Sequence, residues 1–344
     1  MPRYEHGGDR YANAGISLDF SINVNPLGAP EAAKRAVIEQ TDAFARYPDP
    51  RCRALREALA RKHGVAPEAI LCGNGASDLI FRACACLKPR RALTLAPTFS
   101  EYERPAKLFG GEVREHRLRE ADGFMLTEEV LPALTPDIDL FFLCNPNNPT
   151  GRLAAPDLLR RVVGACAENG TLLMVDECFM EFTQGASMLP LLRACPNLLI
   201  LRAFTKFHAL AGLRLGYLLG DAALLARVAD FAPAWSVSAA AQAAGLGALA
   251  EPGWAERTRE VVRAERAFME EGLAALGLAA FPSDANFLLF KSPVPLFEPL
   301  KARGILVRNC GNFTGLDERF TRVGLKTRED NATLLRAIRE VLYG

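Results

Sequence analysis

Lys206 is the residue whose setting most suggests chemistry. The apolar, β-rich run from Leu198 to Phe204 stops at Thr205-Lys206, a loop containing Gly212 follows, and a second apolar run starts at Arg214. An ammonium at the end of a buried strand is unfavourable unless it is deprotonated, paired or converted to a neutral group, and an imine does the last of these. The same lysine can also snorkel past the strand end to water. Thr205 adds a hydroxyl, and Arg214 adds a fork that can grip a phosphate.

Other strand ends carry polar groups of matching kinds. Asp176 closes the apolar run LLMVDE, where an ionised carboxylate needs a cation such as a protonated heterocyclic nitrogen. A helix cap, or a metal shared with Glu177, would satisfy it equally. Asn148 lies in NPNNPTG, a loop stiffened by two prolines and a glycine, and its amide can donate to a phenolic oxygen. Gly73-Asn74-Gly75-Ala76-Ser77 joins a strand to a helix, so backbone N–H groups and the positive helix end converge as a cup for phosphate. Asp78 replaces the third glycine of a dinucleotide fingerprint, and no GxxxxGK loop exists. Arg308 and Arg322 sit inside apolar strands, where a guanidinium needs an anion, either internal or from a substrate carrying a carboxylate and a phosphate.

These residues need elements to hold them. Residues 1–30 read as irregular, and LDFSINVNPLG (Leu18 to Gly28) reads as an extended arm rather than a strand in a sheet. Helices are expected at 30–46, broken by RYPDP, and at 51–63, ended by Gly64. From Ala69 to Asp176 strand, loop and helix alternate, which implies an α/β fold with a mainly parallel sheet covered on both faces. Functional loops then gather at the carboxyl ends of its strands. An alanine-rich helical region (222–250) and a long charged helix (254–276) lead to a small α+β unit. Its strands are read at 286–290, 304–309 and 319–325, and its helices at 294–303 and 328–342. The expected organisation is an arm and helix at 1–40 that adds to the small domain, a large domain at 41–245 and a small domain at 246–344.

Composition narrows the class. The chain has 344 residues, is 50% hydrophobic, and balances 41 Lys+Arg against 40 Asp+Glu for a formal net charge of +1. A large core can form, and no global field draws the protein to nucleic acid or an anionic membrane. Its nine cysteines lie mostly in apolar runs without a CxxC pair, and Cys84 and Cys86 lack histidines at ligand spacing, so reduced core cysteines of a cytosolic protein are expected. MPRYEHGGDRYANAG has no apolar core and no run is of membrane length, so neither secretion nor membrane insertion is expected.

The order GNGAS, NPNNPTG, DE, TK, GLRLGY resembles the aspartate-aminotransferase-like, fold-type I family of pyridoxal-phosphate enzymes across nearly the whole chain. The resemblance implies a seven-stranded, mainly parallel sheet in the large domain and pyridoxal 5'-phosphate as cofactor. Lys206 would form the imine, Asp176 would pair with the pyridine nitrogen, Asn148 would bond the ring hydroxyl and Phe99 would stack on the ring. Gly75, Ala76, Ser77, Thr205 and Arg214 would hold the phosphate, joined by Tyr47 from the partner subunit of a homodimer. Arg322 would clamp the substrate carboxylate.

Two subgroups of that family share further motifs with the chain. Histidinol-phosphate aminotransferases share YPDP, NPNNPTG and AGLRLGY, but would carry tyrosine at Phe179 and serine at Ala203. Threonine-phosphate decarboxylases of cobalamin biosynthesis resemble it in HGG, DFSINVNPLG, TKF followed by His208, and RNCGNFTGL, with phenylalanine at Phe179 and Arg308 fourteen residues before Arg322. That match favours decarboxylation of a phosphorylated amino acid, L-threonine O-3-phosphate or O-phospho-serine. His6, in HGG, and Asn25 are candidate substrate contacts, although a histidine in an arm is more often merely exposed and Asn-Pro is a turn signal first. A reading from another class is a doubly wound nucleotide-binding protein without pyridoxal chemistry, which leaves Lys206, Asp176 and Asn148 unexplained.

Overall fold

The computed structural model describes residues 6–344. Residues 1–5, the start of the expected arm, lie outside that description. Twelve strands are formed among the described residues: β1 (Leu18–Asp19), β2 (Ile70–Gly73), β3 (Arg91–Ala96), β4 (Glu112–Arg117), β5 (Leu140–Cys144), β6 (Leu172–Asp176), β7 (Leu198–Ala203), β8 (Gly216–Leu219), β9 (Phe287–Lys291), β10 (Ile305–Leu306), β11 (Arg308–Asn309) and β12 (Phe320–Gly324). The helices are α1 (Glu31–Glu39), α2 (Arg53–His63), α3 (Ala76–Leu87), α4 (Glu103–Leu108), α5 (Pro156–Asn169), α6 (Phe204–Phe207), α7 (Ala222–Ala229), α8 (Ala239–Ala250), α9 (Trp254–Ala275), α10 (Phe297–Lys301) and α11 (Arg328–Tyr343).

The main sheet has seven strands in the order β2-β8-β7-β6-β5-β3-β4. Strand β8 runs antiparallel to both its neighbours and the other pairings are parallel. The continuous apolar runs follow from burial on both faces. Phe141, Leu143, Leu173, Val175, Leu198 and Ile200 enter one core, while Leu140, Phe142, Met174, Leu199 and Leu201 enter a second core on the opposite face. Local punctuation cuts the helices. Gly64 ends α2 at φ 66° and Gly170 ends α5 at φ 70°, left-handed positions where a Cβ would be strained.

A third core lies under the antiparallel sheet β11-β12-β9, where Phe287, Leu288, Phe290 and Val323 meet Val262, Met269 and Leu273 of α9 and Leu334 and Ile338 of α11. The N-terminal arm is partly strand, contrary to its sequence reading. Leu18 and Asp19 pair in parallel with Ile305 and Leu306, and the Gly324 N–H donates to the Phe20 carbonyl at 2.8 Å. Phe20 supplies the anchor, fully buried in the third core. The expected helix at 30–46 is α1 followed by a 3-10 turn over Thr41–Ala45. Helix α1 packs against α8, where a Cβ on Gly247 would lie 2.4 Å from the Ala32 carbonyl oxygen.

Candidate active site

A cavity of about 210 Å³ opens where β5, β6 and β7 end at their carboxyl termini. Parallel strands oblige these ends to lie side by side. Cys144, last in β5, is the register partner of Asp176, last in β6, and Asp176 pairs in turn with Leu201 of β7. The cavity is bounded by Ala76, Ser77, Phe99, Asn148, Asp176, Thr205, Lys206 and Arg214, and by His6, Arg308 and Arg322.

Lys206 lies in α6, the single turn that follows β7. Its Nζ makes no hydrogen bond or ion pair with a described residue. Desolvation, and then the positive charge of Arg322, press the amine down to about 8 from an ordinary lysine value near 10.5. An uncommitted amine of lowered basicity is the state a nucleophilic lysine requires. Asp176 is buried, and burial pushes its carboxyl up. Two donors oppose this, since the Tyr102 hydroxyl donates to Oδ2 at 2.6 Å and the Cys178 N–H to Oδ1 at 2.9 Å.

Arg322 is buried at the small-sheet side of the cavity. It donates through Nη1 to Asn148 Oδ1 and through Nη2 to the Ser21 carbonyl at 2.7 Å, while its buried Nε has no partner among the described residues. Burial lowers it to about 10. Arg308 donates to the Asn309 carbonyl and, at 2.7 Å, to Asn312 Oδ1, and lies 4.9 Å over the Phe313 ring.

Gly75 stands at the N-cap of the twelve-residue helix α3 with φ 88°. A Cβ there would lie 2.8 Å from Arg214 Nη2, so the absence of a side chain is what lets the guanidinium approach the helix start. Ser77 and Thr205 bring hydroxyls to the same end of the cavity. Helix N-terminus, guanidinium and hydroxyls together form a set of donors suited to a phosphate.

Three residues expected at the site do not line the cavity: Gly75, set beside Arg214 at the start of α3, Asn25 and Tyr47. Asn25 is buried beneath it, with Nδ2 donating to the Phe207 carbonyl at 2.8 Å and to Thr258 Oγ1 at 2.9 Å, while Oδ1 accepts from the Leu27 N–H. That amide is committed to fixing the turn that carries Lys206, whose carbonyl accepts from the Asn25 N–H at 3.0 Å. Tyr47 is 79% exposed, stacked on Trp235 with ring centroids 4.3 Å apart, and lies outside this chain's cavity. Conversely, Tyr102, Ser21 and Cys178 do line it without having been singled out. Tyr102 follows Phe99 by three residues, the one local hint that both face the same way. Among the described residues no cluster of His, Cys, Asp and Glu could hold a metal, and no helix is long and apolar enough to cross a membrane.

The chain matches the family of aminotransferase class I and II over residues 16–338. It belongs to that family. As an aminotransferase class I and II enzyme it is 43% identical to the threonine-phosphate decarboxylase of Salmonella typhimurium, across 98% of this chain and 97% of that one. It is 36% identical to a histidinol-phosphate aminotransferase of Desulfitobacterium hafniense, across 95% of this chain and 92% of that one. Among solved structures, the L-threonine-O-3-phosphate decarboxylase of Porphyromonas gingivalis superposes with a TM-score of 0.84 at 25% identity, covering 95% and 100% of the two chains. Enzymes of this family depend on pyridoxal 5'-phosphate, and the residues present fit that group. The cup at Gly75 and Arg214 suits its phosphate, Asp176 suits its ring nitrogen, and Lys206 between them is an amine without a partner among the described residues.

Proposed function

We propose that this enzyme removes carbon dioxide from L-threonine O-3-phosphate, or the close relative O-phospho-serine, leaving the amino-alcohol phosphate. The observation that carries the reading is the pair of buried arginines, Arg308 and Arg322, in one cavity with Lys206. A substrate with two anionic groups matches two such guanidinia. The higher identity to a threonine-phosphate decarboxylase than to a histidinol-phosphate aminotransferase points the same way. Phe179, edge-on to Phe287 at 5.0 Å, brings no hydroxyl to the cavity it lines.

The bound cofactor supplies an electron sink for charge developing at the substrate α-carbon. The protein's part is binding, orientation and proton control. Lys206 is the amine that would hold the cofactor, with Asp176 at the ring nitrogen, Asn148 at the ring oxygen and Phe99 on the ring face. Gly75, Ala76, Ser77, Thr205 and Arg214 would hold its phosphate. Arg322 would bind the substrate carboxylate, with Arg308 and His6 at the substrate phosphate. Carbon dioxide leaves with the carboxylate carbon, the electron pair of the broken bond stays with the α-carbon, and a proton from Lys206 Nζ takes the vacated position. A base lowered to about 8 is suited to carry that proton near neutral pH.

Exposed Phe44, Tyr47 and Trp235 support a homodimer in which Tyr47 reaches the partner's cofactor phosphate. Nine unpaired thiols, most of them buried, accord with a cytoplasmic protein. We also hold to a large domain at 41–245 and a small domain at 246–344, with residues 1–40 as an added arm and helix.

The deciding experiment is two incubations of the purified holoenzyme. Gas from O-phospho-L-threonine without a keto-acid acceptor supports the decarboxylase. Glutamate formed from histidinol phosphate and 2-oxoglutarate, with no gas from O-phospho-L-threonine, replaces it with the aminotransferase.

A further inference from the structure

Glu101 is a buried carboxylate that the reaction above does not use. It lies between β3 and α4, its side chain 8% exposed, and its Oε1 is 2.9 Å from Nε2 of His6, a residue of the N-terminal arm 95 positions away. The arm is pinned again one step further on. The Gly8 N–H donates to Ser21 Oγ at 2.8 Å, and a Cβ on Gly7 would lie 2.3 Å from the Ser21 carbonyl oxygen. That same carbonyl accepts from Arg322. The arm therefore crosses the cavity edge between two anchors, Glu101 beside the main sheet and Ser21 beside the small one.

We propose that Glu101 is a positioning residue that holds His6 over the cavity as a hydrogen-bond donor for the phosphate of the substrate. The chemistry follows from the two ring nitrogens. With Nε2 bonded to a carboxylate, Nδ1 remains for a second partner. A neutral ring in that pose offers Nδ1 as a lone pair, which repels phosphate. A ring carrying both protons donates to both anions, with Nε2–H on the Glu101 carboxylate and Nδ1–H turned to the phosphate. Reciprocally, the bond to His6 holds the Glu101 carboxyl below the usual range. The other charges around the pair are Arg104, 4.0 Å from Glu101 Oε1, Arg308 from β11, and Asp9 on the arm, with Arg322, Arg214, Lys206 and Asp176 deeper in the cavity.

The inference rests on the proposed function only in requiring a phosphorylated substrate, which histidinol phosphate also is. Holoenzyme of Glu101→Gln, His6→Gln and the double variant is assayed from pH 6 to 9 with O-phospho-L-threonine, or with histidinol phosphate and 2-oxoglutarate if no gas is released. Failure of the decarboxylase reading then appears as a change of substrate, not as loss of the effect. Glu101→Gln is expected to raise KM about tenfold with kcat changed less than about twofold. The double variant should be no worse than His6→Gln alone, because both remove one interaction. A second readout is independent of turnover: trypsin should cleave after Arg10 faster in Glu101→Gln than in wild type, and O-phospho-L-threonine should protect only the latter. Unchanged KM in Glu101→Gln, additive effects in the double variant, or equal cleavage and protection would each overturn the proposal.

Discussion

Arg308 and Arg322 are register partners across the antiparallel strands β11 and β12, so their side chains leave the sheet on the same face. Like charges directly opposite one another oppose folding, and the carboxyl ends of the main sheet place this pair against the cavity. An anionic ligand should therefore stabilise the folded enzyme through both arginines. O-phospho-L-threonine is expected to raise the melting temperature of the holoenzyme. Arg308→Gln should keep less than about half of that rise without melting lower when unliganded. Thermal denaturation with and without ligand checks this, and a full rise in the variant would remove Arg308 from the anion site.

Lys206→Ala and Lys206→Arg should both abolish the borohydride-sensitive yellow colour of the holoenzyme and lower turnover by about 10³-fold or more. Guanidinium keeps the positive charge but cannot take the amine's place. Absorbance before and after borohydride, alongside turnover, tests the assignment. Substantial activity in either variant would mean that another lysine does the chemistry.

The Tyr102–Asp176 hydrogen bond predicts graded effects. Asp176→Ala should lower kcat by about 10³-fold while cofactor affinity falls much less, because the phosphate cup around Gly75 and Arg214 is untouched. Tyr102→Phe removes one of the two hydrogen bonds from the carboxylate and should cost about tenfold in kcat. Cofactor titration of the apoproteins with saturated-enzyme rates separates the two quantities. If affinity falls and the saturated rate does not, Asp176 is structural.

Lys206 also makes a stability prediction for the cofactor-free protein. Its folded value of about 8 lies below the unfolded value of about 10.5, so between these the unfolded chain binds more protons and stability from this group rises with pH. Below pH 8 the buried ammonium is a net liability. Lys206→Met apoprotein should therefore melt higher than wild type at pH 7, with the gap closing toward pH 10.5. A gap that does not depend on pH would attribute the gain to packing.

The α/β alternation was readable because apolar periodicity is a local property, carried by runs such as Leu140–Cys144 and Leu172–Asp176 that are buried on both faces. Strand β4 escaped that reading. Apart from Val113 its residues, Glu112–Arg117, are polar, and most are exposed, since an edge strand has little apolar surface to declare itself. Strand β1 escaped for a different reason. Two residues pair with Ile305 and Leu306, and no local pattern announces a partner nearly three hundred positions away.

The sequence by itself determined which chemistry was on offer: a lysine and an aspartate at the ends of apolar strands, a glycine turn before a helix, an asparagine in a stiffened loop and two arginines in a small sheet. Residue type and strand-end position suffice for that, because parallel strands must bring such ends together. Only the tertiary structure decided how the polar atoms are shared. It committed the Asn25 amide to Phe207 and Thr258, gave Tyr102 to Asp176, and set His6 against Glu101. Hydrogen bonds have no sequence period. They form wherever packing of the cores leaves a donor within about 3 Å of an acceptor, and that distance is fixed by how elements far apart in the chain come to rest against one another.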